Sequence, residues 1–176
     1  MSAVAIERPQ STSIGWTGIV RDLHLTSSAS LPMRAVPELR LTEGRGVEGD
    51  RYSLALATGF YSGKPEDGRQ ITLFEIETLW ALRRDHDIEL EAAEHRRNVT
   101  VEGVPLNHLV GRRFWVGETL LEATRLSTPC RHIEEITGKA IFKPLINRSG
   151  LNCRILCSGT VRVGDRVQPD PLNSER

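Results

Sequence analysis

The sequence lacks an excess of either charge. Lysine and arginine together number 23, aspartate and glutamate also number 23, and the formal net charge is zero with histidine neutral. Proteins that hold a nucleic acid generally present a positive field, and anionic lipid surfaces attract basic segments in the same way. The composition therefore favours neither a nucleic acid nor a membrane surface as a partner.

Long apolar runs are also missing. No stretch approaches the roughly 20 apolar residues that a membrane-spanning helix needs. Residues 1–13 contain Glu7, Arg8 and Pro9 where a secretory signal would have its apolar core. We expect residues 1–13 to form a flexible tail, residues 14–167 to form one domain with a single core, and residues 168–176 to form a second tail.

Cysteine is scarce, with three residues in the chain. This odd number, without a predicted signal peptide, fits a reducing compartment, and we expect a cytoplasmic protein. Cys153 and Cys157 fall in a predicted strand, roughly 13 Å apart, which is too far for a disulfide or a shared tetrahedral metal. We predict that both lie in the core. Cys130 is therefore the cysteine whose neighbouring residues indicate a chemical role.

Cys130 lies between a predicted strand and a predicted helix. Apolar and polar residues alternate from Thr119 to Leu126, and Pro129 cannot continue a strand ladder. The neighbouring Arg131 and His132 would favour the thiolate, which is both a nucleophile and a soft ligand for a transition metal. The alternative is that Cys130 is a small buried hydrophobic residue, as most free cysteines are.

Two further segments place basic side chains at turns. Arg51 leaves the glycine-rich turn 46–49, where it either faces an anion or forms an ion pair with Asp50 at a tight corner. Arg96, Arg97 and Asn98 stand before a predicted strand, where forked donors and an amide could clamp a phosphate or a polar heterocycle. The alternative for these three is a charged strand edge that prevents further pairing.

The remaining pattern predicts a mostly β protein. Short alternating strands end in glycine turns, and two such segments, 111–118 and 159–165, resemble each other. This arrangement is typical of a barrel or sandwich with a few peripheral short helices.

One longer helix is predicted after the strand at 70–73. Thr72 and Glu75 have the spacing of a capping box at its start, and we expect it to end near Asp85. Trp80 has the helical spacing of a core residue.

Several of these motifs, taken together, resemble the MOSC domain. Their order and spacing match the family over residues 15–167. The matching segments are Pro32-Met33-Arg34-Ala35-Val36, Gly46-Val47-Glu48-Gly49-Asp50-Arg51-Tyr52, Arg96-Arg97-Asn98-Val99-Thr100-Val101-Glu102-Gly103, Pro129-Cys130 and Gly164-Asp165. One departure is Tyr52, which stands where the family often has histidine, so the motifs leave the substrate open.

The resemblance implies a MOSC-type β-barrel that binds the molybdenum cofactor, a pterin dithiolene with a phosphate tail. By the same resemblance, Cys130 is the metal ligand and catalytic cysteine, and Arg96 and Asn98 contact the pterin and the phosphate. Arg51 is similar in place to an arginine that holds the phosphate. Ser27 and Ser28 fall where the family has polar contacts to the cofactor.

The implied activity is the reductive cleavage of an N–O bond in a small N-hydroxylated substrate. The chain has neither four cysteines for an iron–sulfur cluster nor a Gly-x-Gly-x-x-Gly motif for a dinucleotide, so electrons would come from an electron-transfer partner protein. A second hypothesis is a sulfur carrier that accepts a persulfide on Cys130 from a cysteine desulfurase. A third is a non-catalytic module that stores or hands over the cofactor.

Overall fold

The computed structural model describes residues 15–29, 31–53 and 68–173. These ranges contain eleven strands, two α-helices and two short 3-10 turns, which confirms the mostly β prediction. The strands are β1 (Gly18–Leu25), β2 (Arg34–Ala35), β3 (Glu38–Thr42), β4 (Gly46–Val47), β5 (Ile71–Glu75), β6 (Val99–Glu102), β7 (Arg113–Val116), β8 (Thr119–Leu126), β9 (Leu151–Cys157), β10 (Gly159–Arg162) and β11 (Arg166–Pro169). The helices are α1 (Ile76–His86) and α2 (Arg131–Thr137), and the 3-10 turns are Leu106–His108 and Pro171–Asn173.

Seven of these strands close into a barrel in the order β11-β7-β8-β9-β5-β6-β1. The barrel closes where β1 pairs with β11, with Gly18 opposite Val167. The pairs are antiparallel except for β5 and β6, which run parallel and are joined through α1. Strands β10, β3 and β4 form a separate small sheet. The predicted β-barrel with a few peripheral short helices is confirmed.

The barrel encloses the main hydrophobic core. Strand β8 shows why these residues form strands: Thr119, Leu121 and Ala123 face inward and are buried, and the residues between them are partly exposed. A second core lies under the helices and contains Phe74, Leu82, Leu90, Ile133, Ile141 and Leu145, and Cys130 packs against it. Full burial of one such large side chain contributes about 2 kcal/mol.

Helix α1 corrects two predictions. It starts directly from β5 at Ile76, and Glu75 at its N-cap makes no capping hydrogen bond with its side chain. Thr72 lies inside β5, so the predicted capping box is wrong. Trp80 is 53% exposed rather than in the core, because α1 buries the face that carries Ala81 and Leu82. The helix ends at His86, close to the predicted end.

A bulge in the barrel wall corrects the prediction for Cys157. Cys153 is fully buried, as expected, but Cys157 is exposed. Leu121 pairs with Ile155, whereas the preceding Leu120 pairs with Cys157, so β9 holds one extra residue here. The extra residue breaks the two-residue alternation and turns Cys157 away from the core.

The C-terminal end of the barrel lies beyond the predicted boundary. Strand β11 continues through Gln168 and Pro169, which pair with β7, and Asp170 is buried. No helix in the described ranges has the length and apolar character needed to span a membrane.

A side chain at position 150 is predicted to destabilise the fold. Gly150 has φ +95°, and an added Cβ would overlap the carbonyl oxygen of Leu73. We expect Gly150→Ala to lower the free energy of unfolding in urea by about 3 kcal/mol, the sum of a left-handed backbone cost and a steric clash.

Gly44→Ala is the matched control, because Gly44 has φ +71° and open space around it. This variant should lose only about 1 kcal/mol. Equal losses in the two variants would contradict the assigned clash.

Candidate functional site

The side chain of Asn98 joins three separate segments of the chain. Its Oδ1 accepts hydrogen bonds from the Thr72 amide (3.1 Å) and the Thr72 hydroxyl (3.0 Å) on β5. Its Nδ2 donates to the His24 carbonyl (3.3 Å) on β1 and to Asp50 Oδ1 (3.2 Å). Asn98 is 2% exposed, so its amide is satisfied within the protein. The contact with a pterin implied for Asn98 stays a prediction.

Asp50 fixes the turn that precedes Arg51. Its carboxylate also accepts hydrogen bonds from the backbone amides of Thr26 and Tyr52, both at 3.3 Å. Burial raises the pKa of Asp50, although the Arg51 charge and these donors act in the opposite direction. Asp50 therefore works mainly as a buried acceptor that holds the turn against β1 and Asn98.

Arg51 is buried beside this turn. Its guanidinium donates to the Tyr52 hydroxyl (3.2 Å) and the Arg96 carbonyl (3.5 Å), and contacts the Met33 sulfur at 3.7 Å. Its Cζ lies 4.7 Å from the centre of the Tyr52 ring. Arg69, just before β5, lies over the same ring with its Cζ at 4.8 Å.

Arg96 holds the loop that carries Ser27 and Ser28. It has φ +62°, and its guanidinium donates to the carbonyls of Ala29 (2.7 Å) and Leu31 (2.9 Å). Burial lowers the pKa of Arg96 to about 10, and the nearby charge of Arg51 acts in the same direction. The side chain therefore remains charged at neutral pH. Ser27 is exposed and Ser28 half-buried, and their role in binding stays a prediction.

Arg97 connects this cluster to the segment before Cys130. Its guanidinium donates to the Ser149 carbonyl (2.9 Å), the Ser149 hydroxyl (3.0 Å) and the Thr128 carbonyl (3.5 Å). Burial lowers the pKa of Arg97, and electrostatic interactions with Tyr52 and Cys130 oppose that shift. Cys130 also acts on Arg96 in this way, so its sulfur lies within electrostatic range of both arginines.

The cations that act on Cys130 include two that its sequence neighbours do not indicate. Cys130 is the partly exposed N-cap residue of α2. His132 faces Glu135, with its Nδ1 3.5 Å from the carboxylate, and Arg131 is exposed. The electrostatic partners of Cys130 thus include Arg96 and Arg97, which come from a distant part of the sequence.

Two buried histidines, His24 and His95, lie close together near the arginines, with ring centres 6.3 Å apart. His95 stacks on Phe74, with ring centres 4.2 Å apart, and its Nδ1 accepts the Arg97 amide at 3.0 Å. Nε2 therefore carries the proton and donates to the Thr100 hydroxyl at 2.8 Å. Burial lowers the pKa of His95 well below its ordinary value and also lowers that of His24. Both residues are neutral at neutral pH.

A mainly apolar cleft of about 240 Å³ opens beside the Cys130 segment. It is lined by Leu126, Ser127, Thr128, Pro129, Phe142, Ile146 and Asn147. The backbone of Thr128, one of the lining residues, also accepts the hydrogen bond from Arg97. The cleft therefore lies beside the segment that precedes Cys130, and one of its lining residues contacts Arg97.

The fold and the site together define a small β-barrel protein with clustered arginines beside a thiol. The family model for the MOSC domain matches residues 61–168, more than half of the chain. The chain therefore belongs to the MOSC domain family, which is associated with binding of the molybdenum cofactor. The matched range contains Arg96, Asn98 and Cys130, whereas Ser27, Ser28 and Arg51 precede it.

Solved structures share this fold. The YUAD protein of Bacillus subtilis superposes with a TM-score of 0.71 at 19% identity, over 87% of this chain and 97% of that protein. YiiM of Geobacillus stearothermophilus gives a TM-score of 0.62 at 13% identity, over 87% and 75% of the two chains. YiiM of Escherichia coli gives 0.61 at 17% identity, over 89% and 70%. No curated protein matches the sequence.

Sequence reasoning missed Arg69 and His95 as parts of this site. Arg69 lies in a segment with no recognisable motif, and its position over Tyr52 in the folded chain connects it with Arg51. His95 directly precedes the arginines, but its burial and its stacking on Phe74 require the packed fold.

We expect Asn98→Ala to destabilise the fold. Removal of the amide leaves the buried Thr72 and Asp50 groups without their partner, which costs about 2–4 kcal/mol of unfolding free energy. Asn107→Ala is the control, since it removes one exposed hydrogen bond to the Asn147 carbonyl (2.7 Å). It should cost less than about 1 kcal/mol, and an equal loss would contradict the bridging role of Asn98.

Stability should also fall in acid because of His95. The unfolded state takes up a proton near the ordinary histidine pKa of 6.5, whereas the buried ring does not. Stability is therefore full above that value and is lost as the pH falls below it, by at most about 1.4 kcal/mol per pH unit for this residue.

Urea unfolding of wild type and His95→Gln, measured at several pH values between about 7.5 and 5, tests this assignment. The variant should show the shallower pH dependence. If the variant shows the same pH dependence of unfolding free energy as wild type, protonation of His95 does not cause the loss of stability. The neighbouring His24 would then account for it.

Proposed function

We propose that this protein binds the molybdenum cofactor and reduces N-hydroxylated compounds, with Cys130 as the protein ligand to the metal. The observation that carries the proposal is the hydrogen bond from the Arg97 guanidinium to the carbonyl of Thr128, two residues before the partly exposed Cys130. A soft metal centre with an anionic tail needs a thiolate and fixed cations close together. Membership of a family associated with this cofactor gives independent support.

The side chains present fit the proposed ligand. The Cys130 thiol is partly exposed, so its sulfur is available to a soft metal ion. Arg51 and Arg97 would face the phosphate, and Arg96 would add charge while it orders the loop that contains Ser27 and Ser28. Asn98 would contribute mainly by holding these segments in place, since its amide is already satisfied. When bound, the cofactor supplies two-electron oxygen-atom chemistry.

The reaction consumes two electrons and two protons. The N–O bond breaks, an N–H bond forms, and the oxygen leaves as water. An electron-transfer partner protein would supply the electrons, since the three cysteines of this sequence cannot ligate a four-thiolate cluster.

The apolar cleft beside Cys130 is the proposed site for the organic part of the substrate. Phe142, Ile146 and Pro129 offer apolar walls, and Pro129 directly precedes the thiol. A flat, uncharged substrate such as an N-hydroxylated base or an amidoxime would bury its ring there and place its N–O group toward Cys130.

A sulfur carrier is the second candidate, favoured by the partial exposure of Cys130. A cysteine desulfurase would transfer a sulfane sulfur to the Cys130 thiolate to form a persulfide. Because Cys157 is also exposed, a persulfide assay must use Cys157→Ser protein. The third candidate, a non-catalytic carrier of the cofactor, differs from the first in binding the cofactor without turnover.

The test is molybdenum and pterin analysis of protein purified from a host that makes the cofactor. We expect near-stoichiometric molybdenum in wild type and loss of at least about 90% in Cys130→Ser, because serine is a poor ligand for a soft metal. Turnover of an N-hydroxylated substrate with a supplied reductant should disappear in the same variant.

Cys157→Ser is the matched control and should keep both metal and activity, since Cys157 lies on the outside of the barrel wall. Equal molybdenum in wild type and Cys130→Ser would contradict the ligand role. Absence of molybdenum from both, with a persulfide on Cys130, would favour the sulfur carrier. Bound cofactor without turnover would favour the non-catalytic carrier.

A further inference from the structure

The side chain of His95 bonds to the backbone two positions later in the chain. Its Nδ1 accepts the Arg97 amide at 3.0 Å, so the bond spans Arg96. Arg96 has φ +62°, a left-handed conformation that is uncommon for a residue with a long side chain. Asparagine and aspartate stabilise turns through the same bond to the backbone two residues on. The bond from His95 therefore closes a turn around Arg96.

The ring of His95 is held in one orientation and one tautomer. It stacks on Phe74 of β5, with ring centres 4.2 Å apart and planes inclined by 14°. Its Nε2 lies 2.8 Å from the Thr100 hydroxyl on β6. A protonated ring would present an N–H to the Arg97 amide, and a ring turned over would present a C–H, so neither could accept the bond. The two strands thus fix Nδ1 as the acceptor.

Three arginines meet at this turn. The carbonyl of Arg96 accepts a hydrogen bond from the Arg51 guanidinium at 3.5 Å. The Arg96 guanidinium donates to the loop that follows β1. The Arg97 guanidinium donates to the segment before Cys130 and to the segment before β9. A different backbone conformation at Arg96 would therefore move one arginine contact and redirect two arginine side chains.

We propose that His95 is a positioning residue for a phosphate group of the ligand, because its Nδ1 holds the turn that directs Arg96 and Arg97. The inference rests on the proposed function for the identity of the phosphate carrier. It assigns no contact between His95 and the ligand, since the residue is 1% exposed and both of its ring nitrogens are already bonded.

Two substitutions separate the acceptor of His95 from its ring. His95→Asn loses the ring but keeps an oxygen that can accept the Arg97 amide, whereas His95→Leu keeps apolar volume and loses the acceptor. The full chain, purified from a host that cannot make the cofactor, is titrated calorimetrically with inorganic pyrophosphate at low ionic strength. The affinity of His95→Asn should stay within about threefold of wild type, and that of His95→Leu should be about tenfold weaker.

His24→Leu is the matched control. His24 is also buried, and its ring centre lies 6.3 Å from that of His95. Within the described ranges, however, its Nδ1 has no hydrogen-bond partner. Because this variant leaves the bond to the Arg97 amide in place, its pyrophosphate affinity should stay within about twofold of wild type.

The order of the variants decides between positioning and general damage. If His95 served only to pack the ring against Phe74, His95→Leu would bind pyrophosphate at least as well as His95→Asn. That order would contradict the inference, as would equal losses in His24→Leu and His95→Leu. Affinities that simply follow the unfolding midpoints of the variants would contradict it as well.

Nitrogen NMR of the wild-type imidazole tests the inference even where a variant fails to fold. In histidine-labelled protein at neutral pH, the ring assigned to His95 through its contact with Phe74 should carry its proton on Nε2 and none on Nδ1. A proton on Nδ1 would overturn the inference.

Failure of this inference can be told from failure of the proposed function. The expected order of pyrophosphate affinities in a protein that never holds molybdenum would contradict the proposed function alone. Molybdenum in wild type, together with equal pyrophosphate affinity in wild type and His95→Leu, would contradict this inference alone. No pyrophosphate binding by wild type would also overturn this inference.

Discussion

The arrangement of the site depends on the buried amide of Asn98. Four hydrogen bonds connect it to β5, to β1 and to the turn that precedes Arg51. Each of these segments carries or adjoins a basic side chain, so one small polar group sets the relative positions of several charges. Because an amide offers two donors and two acceptor sites, no apolar residue of similar size can replace it.

The barrel provides the stiffness that a cluster of like charges requires. Separate arginines on flexible loops would move apart, whereas here Arg96 and Arg97 are tied to backbone carbonyls and Arg51 to Tyr52. Repulsion between these arginines destabilises the fold, and the packing of the core that anchors their loops offsets this repulsion. Binding of an anion, as proposed for this site, would recover part of the cost of that repulsion.

Local sequence patterns predicted the architecture well, and the site only in part. The alternation in β8 and the proline before Cys130 placed the thiol at a strand end, because such patterns depend on near neighbours alone. The burial of Cys157 and Trp80 was predicted wrongly, since a bulge in β9 and the orientation of α1 arise from packing. The association of Arg69 with Tyr52 and of Arg96 with Cys130 depends on contacts between distant segments, which no local pattern encodes.

The closure of the barrel also has a consequence for synthesis of the chain. Gly18 of the first strand pairs with Val167 of the last described strand, so the ring of strands forms only after nearly the whole domain has left the ribosome. Contacts between residues so far apart in sequence make folding slow. Until β11 arrives, the edges of β1 and β7 stay open to other chains, and a nascent protein in this state is the form most exposed to aggregation and most dependent on chaperones.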